Sequence, residues 1–232
     1  MAATTKSAKR GRLDQRVIVD GLLALASGDP HSRITFKRLG DALGVDATAM
    51  YRHFRNKDEL TCAALDRLAG MAVVDARATE GTWRERLEAY TMRAAELSLE
   101  HPSIGAEGAV LDPIGPGDVS SDEFILEMLT EAGLSGDALL RAYAALSGFV
   151  LSQSAALAQD AMAKSDAARD GSIPWISSFG SVDLGDYPHV SAHREALLAI
   201  DGMSVYRAGI AAILDSVERS ASAGDGGGRG DA

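Results

Sequence analysis

Residues 43–60 read Leu43-Gly-Val-Asp-Ala-Thr-Ala-Met-Tyr-Arg-His-Phe-Arg-Asn-Lys-Asp-Glu-Leu60, and this stretch decides the fold. It divides into the end of one short helix, a turn and a second short helix, the helix-turn-helix layout. Gly44 permits the turn, and Val45 plugs the angle between the helices. Asp46 is placed to cap the second helix, from which Met50 and Phe54, four residues apart, face inward. Ala47, Thr48, Ala49, Tyr51, Arg52 and His53 remain on the outer side. A helical face of small residues beside a Tyr, an Arg and a His suits the major groove of double-stranded DNA. Each residue alone is ordinary; His53 by itself reads as a surface histidine and Arg52 as part of a solvated face. The information lies in the joint spacing.

On the N-terminal side, the pattern turns helical from Leu13, with Ile18, Leu22 and Leu25 on one face, and stops at Ser27-Gly-Asp-Pro30. Thr35 can cap a second helix carrying Phe36, Leu39 and Leu43, which ends at Gly44. On the C-terminal side, Asn56-Lys-Asp-Glu59 fits a capping box and opens a helix with Leu60, Ala64, Leu68 and Met71 along one face. Beyond it, Trp83, Leu87, Tyr90, Ala94 and Leu97 form a stripe that stops at His101-Pro102. A loop at 111–117 precedes a helix with Phe124, Met128 and Leu129, ending at Gly133. Residues 137–162 make a long helix rich in Ala, Ser and Gly, 164–189 are irregular, and 190–219 are helical again. There is no alternating β pattern of useful length and no internal repeat. The expected fold is all-α, divided into a flexible basic arm (1–12), a helix-turn-helix domain (13–60), a larger helical domain (61–219) and a disordered tail (220–232).

The charge divides the same way. The net charge is −10, yet residues 1–60 carry 11 Lys and Arg against 7 Asp and Glu, while residues 61–232 carry 12 against 26. A basic head on an acidic body points to a polyanionic partner for one end only. At 232 residues with 46% hydrophobic and 24% charged side chains, the chain can bury a real core, and the single cysteine, Cys62, excludes an internal disulfide or a cysteine cage. No apolar run approaches the roughly 18 residues of a membrane span, and the basic start lacks a signal peptide's apolar core. The expected setting is the cytoplasm. No hydrolase elbow, zinc-protease motif or P-loop is present, so no catalytic residue is assigned. His101, His189 and His193 are of a metal-ligating type, but no acidic partner motif accompanies them; no metal and no cofactor is assigned.

Together, Ile18…Leu25…Gly28, Thr35…Leu39-Gly40, Leu43-Gly44-Val45, Met50-Tyr51-Arg52-His53-Phe54, Lys57 and Leu60 resemble the N-terminal pattern of the TetR family of transcriptional regulators. The resemblance covers about residues 13–60; the remainder is similar to the tetracycline-repressor-type regulatory domain only in style. Gly40 stands where the family has alanine, and it is expected to loosen the second helix slightly.

The resemblance implies a dimeric regulator bound to a pseudo-palindromic operator and released by a small-molecule effector, most simply a repressor. It implies that Thr35, Tyr51, His53 and Lys57 meet phosphates and that Lys37 meets a base or a phosphate. Ala47, Thr48 and Ala49 would lie against base edges, with Arg52 beside them. Trp83, Tyr90, Met92, His101, Phe124, Met128, Phe149, Gln153, Trp175 and Phe179 are the candidate lining of an effector pocket, and 164–189 its lid or a plain loop. The homodimer interface is assigned to 137–160 and 203–218, a four-helix bundle across the two-fold axis. The alternative is a helical small-molecule-binding protein whose DNA head is vestigial or serves protein interaction.

Overall fold

The computed structural model describes residues 13–29, 34–163, 175–176, 178–180 and 182–226. The arm at 1–12 and much of the 164–189 segment lie outside them. Among the described residues the structure is helical throughout, without strands. No helix among them is long and apolar enough to cross a membrane.

The head is built on α1 (Gln15–Gly28) and α2 (Phe36–Leu43). Asp14 opens α1 by accepting from the Val17 amide at 2.9 Å, and Ile18, Val19, Leu22, Leu23 and Ala26 form its buried stripe. Thr35 caps α2 through the Arg38 amide, and Gly44 ends it at φ 67°, a left-handed conformation that glycine adopts without Cβ strain. Gly40 acts differently from expectation. A Cβ there would stand 2.8 Å from the Val45 carbonyl oxygen, so this glycine lets the following turn pack hard against α2. The next element, Ala47–Arg52, is a 3-10 helix, tighter than the α-helix expected and too short to sustain an α ladder.

The third α-helix, α3 (Lys57–Arg77), runs across the expected domain boundary at residue 60. It runs unbroken for 21 residues, burying Leu60 and Ala64 near the head and Leu68, Ala72, Val73 and Ala76 in the body. The two domains therefore share a helix and have no linker there. The expected capping box at its start forms only by half. Asn56 accepts from the Glu59 amide at 2.8 Å, but the Glu59 carboxylate accepts from the Arg55 amide at 2.7 Å, one residue further back. A full capping box sits instead at Thr82 and Glu85, where the sequence also carries the Thr-x-x-Glu pattern.

The body comprises α4 (Trp83–Glu100), α5 (Pro102–Gly105), a 3-10 turn at Ala106–Ala109, α6 (Pro116–Glu131), α7 (Gly136–Ala163), α8 (Pro188–Leu198) and α9 (Gly202–Gly226). Packed on α3 are α4 and α6; α7 lies across α4 and α9. Gly115 has no side chain with which to cap α6. Asp66 of α3 does so from 51 residues away, its Oδ1 accepting from the Gly117 and Asp118 amides at 2.8 and 2.9 Å. The helical region expected at 190–219 is two helices broken near residues 199–201, and α8 buries no side chain. The start of the tail expected at residue 220 is helical instead, since α9 continues through Gly226. Its contacts explain why: Asp215 and Glu218 pair with Arg84 of α4, and Ala221 packs against the core.

A second tie joins head to body. His101, at the end of α4, is buried, and its Nδ1 donates to the Leu23 carbonyl of α1 at 3.1 Å. Burial pushes its pKa below the ordinary 6.5. The unfolded chain therefore binds this proton more readily, so the stabilisation is complete above about pH 6.5 and is lost as the pH falls below it. The thermal midpoint, followed by circular dichroism, is expected to drop between about pH 7.5 and 5.5, with a shallower drop in His101→Asn. An unchanged slope in that variant would remove His101 from the pH dependence.

Candidate nucleic-acid interface and ligand cavity

The candidate reading surface is the 3-10 segment Ala47–Arg52, a geometry that six residues cannot hold by themselves. Three anchors fix it. Met50 and Phe54 are 0% and 2% exposed and plug into the head core. Asp46 Oδ1 accepts from both the Thr48 amide at 2.8 Å and the Thr48 hydroxyl at 2.6 Å, and these bonds hold the carboxylate's pKa below its ordinary value. Gln15 Nε2 of α1 donates to the His53 carbonyl at 3.0 Å, tying the segment's far end to the first helix.

With Met50 turned in, Thr48, Tyr51 and Arg52 are exposed, and Ala47, Ala49 and His53 are half-exposed. The Tyr51 ring, 62% exposed, stands edge-on to Phe36 with ring centroids 4.8 Å apart, so its direction is set by α2. Thr35 and Lys37 are exposed at the start of α2. One expected phosphate ligand already has a partner: Lys57 Nζ lies 3.6 Å from the Glu107 carboxylate of the body. Because both groups are exposed, that pair is weak enough for a phosphate to replace Glu107.

The body holds a cavity of about 330 Å³ between α3, α4, α6 and α7. Of the ten side chains expected to line it, only Tyr90 does so. Phe124 and Met128 are fully buried; the Phe124 ring packs against Tyr90 and beneath the Arg77 and Arg86 guanidinium groups. Phe149 lies against Tyr206, Trp83 and Met92 pack on the core, and His101 is turned toward α1. Trp175 is exposed, and Phe179 and Gln153 are part-exposed away from the cavity lining. The physical reason is simple. Large side chains fill space, and the void persists where side chains are small, at Ala69, Ser98, Gly105, Ser121, Ser147 and Ala155. The small-residue run of α7 was the signal that could have found it; that run faces the cavity as well as the neighbouring helix.

Polar groups gather at one end of the cavity. Tyr143 donates to Asp122 Oδ1 at 2.6 Å, and burial followed by that carboxylate pushes the phenol up to about 12. Burial, with Asp122, Asp112 and Asp66 nearby, raises the Asp118 carboxyl. Among the described residues no group of three or more His, Cys, Asp or Glu is arranged to hold a metal ion.

Residues 18–64 match the family described as bacterial regulatory proteins, tetR family, and residues 77–220 match the tetracyclin repressor-like C-terminal domain. An HTH-type transcriptional regulator of Saccharopolyspora erythraea is 27% identical over 204 residues, 83% of this chain and 85% of its own length. The HTH-type transcriptional repressor DrrR1 of Streptomyces coeruleorubidus is 25% identical over 134 residues, 58% of this chain and 50% of its own. In fold, the chain is similar to the Streptomyces coelicolor TetR family protein ActR in complex with actinorhodin, with a TM-score of 0.69 and 18% identity over 91% of this chain and 99% of that one.

The cap that Asp66 provides to α6 is expected to contribute measurably to stability. Asp66→Ala leaves two part-buried amides without their acceptor, a cost of roughly 1–3 kcal/mol. Thermal denaturation is expected to show a midpoint lower by roughly 2–4 °C per kcal/mol lost. A midpoint equal to the wild type's would mean that solvent satisfies those amides.

Proposed function

The chain belongs to the TetR family of bacterial transcriptional regulators, and we propose that it is a cytoplasmic repressor that binds a pseudo-palindromic operator as a homodimer and leaves it when a small molecule enters the body. One observation carries the reading: Met50 and Phe54 anchor the 3-10 segment, so Ala47, Thr48, Ala49, Tyr51 and Arg52 face outward together. Thr48 contributes its methyl to base edges, because its hydroxyl is committed to Asp46. Thr35, Lys37, Tyr51, His53 and Lys57 flank that face and set register through phosphates. The similarity to a named repressor and to a regulator holding actinorhodin supports repression and effector release.

One head reads only a few base pairs. Two heads on a two-fold axis read half-sites about 34–36 Å apart, or a multiple of that. For the dimer we favour the outer face of α7 and α9, where Ala138, Ala142, Ala145, Ala212 and Ile213 line a shallow apolar groove and Leu140 is 58% exposed. Small side chains let a second pair of helices approach closely and complete a four-helix bundle. The effector acts through its differential affinity for the two head spacings.

Mobility shift against the DNA flanking its own gene tests the reading. Saturable binding that weakens steeply between about 50 and 200 mM salt is expected. Tyr51→Ala and Lys57→Ala should weaken binding alike on every operator variant, whereas Thr48→Ala should change which base is preferred. Indifference to DNA at low salt would favour a small-molecule-binding protein with a vestigial head. Sedimentation should give a dimer for the wild type and a monomer for Ala145→Glu; a monomeric wild type would refute the interface.

A further inference from the structure

One of the residues proposed to meet DNA phosphates is held by the body before any duplex arrives. Lys57 opens α3, and its Nζ lies 3.6 Å from Glu107 Oε1. Glu107 belongs to the 3-10 turn at Ala106–Ala109. That turn is wedged in place, so the carboxylate is aimed rather than free to wander. Gly105, just before it, lies so close to α4 that a Cβ would stand 2.8 Å from the Ser98 backbone. Gly108, inside it, is buried beside Leu65 of α3 and Leu151 of α7. The Ala106 carbonyl accepts from Gln159 Nε2 of α7 at 3.1 Å, and the Glu107 carbonyl accepts from the Val110 and Leu111 amides, both at 3.0 Å.

This carboxylate contributes little to the fold, because an ion pair with side chains 44% and 39% exposed adds little stability. The helix start does not require it either. Asp58 and Glu59 already stand in the first turn of α3, where they suit the positive end of the helix dipole. Glu59 is committed to Arg55, accepting from its amide at 2.7 Å and its guanidinium at 3.1 Å. Other acids gather at the joint: burial first, then Asp58 and Asp112, push the Cys62 thiol above its ordinary value. Lys57 is thus a cation set among acids at the edge of the outward face. A phosphate that reaches its ammonium also comes within a Debye length of Glu107, about 8 Å at physiological salt.

We propose that Glu107 is a built-in brake on DNA binding: it holds the Lys57 ammonium in the free protein and must yield it to a backbone phosphate when the head docks. Operator affinity is thereby kept below what the head alone would reach, and Glu107 acts through Lys57 rather than by touching DNA. This inference rests on the reading of the protein as a DNA-binding regulator, and the experiment separates the two.

Mobility shifts on the DNA flanking its own gene compare the full-length wild type with Glu107→Gln. The variant is expected to bind about two- to fivefold tighter at 50 mM salt, with the margin shrinking as salt rises. In a Lys57→Ala background the gain from Glu107→Gln should vanish. Glu127→Gln removes the same charge from an exposed pair with Arg77 at the far end of α3, roughly 30 Å away, and should leave affinity unchanged. Thermal denaturation checks that every variant folds. The same set is run on heparin, a polyanion that needs no operator, where Glu107→Gln should elute at higher salt than the wild type. No gain from Glu107→Gln, an equal gain in the Lys57→Ala background, or an equal gain from Glu127→Gln would each overturn the brake while leaving DNA binding in place. The expected order on heparin without DNA binding by any variant would refute the regulator reading and leave the hold on Lys57 standing. Indifference of all variants to both polyanions at low salt would overturn both.

Discussion

The fold depends on one continuous helix serving two cores. With a rise of 1.5 Å per residue, the 21 residues of α3 span roughly 31 Å. Its first turns bury Leu60 and Ala64 with the head, and the rest buries Leu68, Ala72 and Ala76 against α4 and α6. No flexible joint separates the helix-turn-helix from the walls of the cavity. Leu65, Leu68 and Ala69 line the cavity from the helix whose first residue is Lys57. The Asp66 cap and the His101–Leu23 bond fix where that helix meets its neighbours.

The outward face of the helix-turn-helix is rigid by borrowing. Six residues of 3-10 helix have little stability of their own, so Ala47–Arg52 is held by two buried side chains, one aspartate cap and a single bond from Gln15. Tyr51 is oriented by Phe36 and Thr48 by Asp46, so the outward face is pre-organised before any partner arrives. Pre-organisation of this kind lowers the ordering cost of binding.

Charge is partitioned to the same end. Two basic residues of the body are absorbed into several of its own acids: Arg84 by Glu88, Asp215 and Glu218, and Arg93 by Asp75, Glu96 and Glu100. Such exposed pairs add little stability individually, but together they leave the body with surplus negative charge. Such a partition favours the approach of a polyanion to the head over the rest.

Local signals alone were enough for the helical class, the helix-turn-helix, the Thr35 and Asp46 caps and the inward turn of Met50 and Phe54. Each depends on residues within a few positions of one another, where periodicity and capping chemistry act. Contacts across the chain escaped that reading. Asp66 caps α6 from 51 residues away, α3 passes through the expected domain boundary, α9 outruns its expected end with Ala221 packed on the core, and the cavity is lined by leucines, small residues, Tyr90 and Tyr143 rather than by the aromatic set expected. Periodicity tells which face of a helix is apolar, but not whether the space opposite it is filled; that is set by which helices meet and how closely, and only the packed chain decides it.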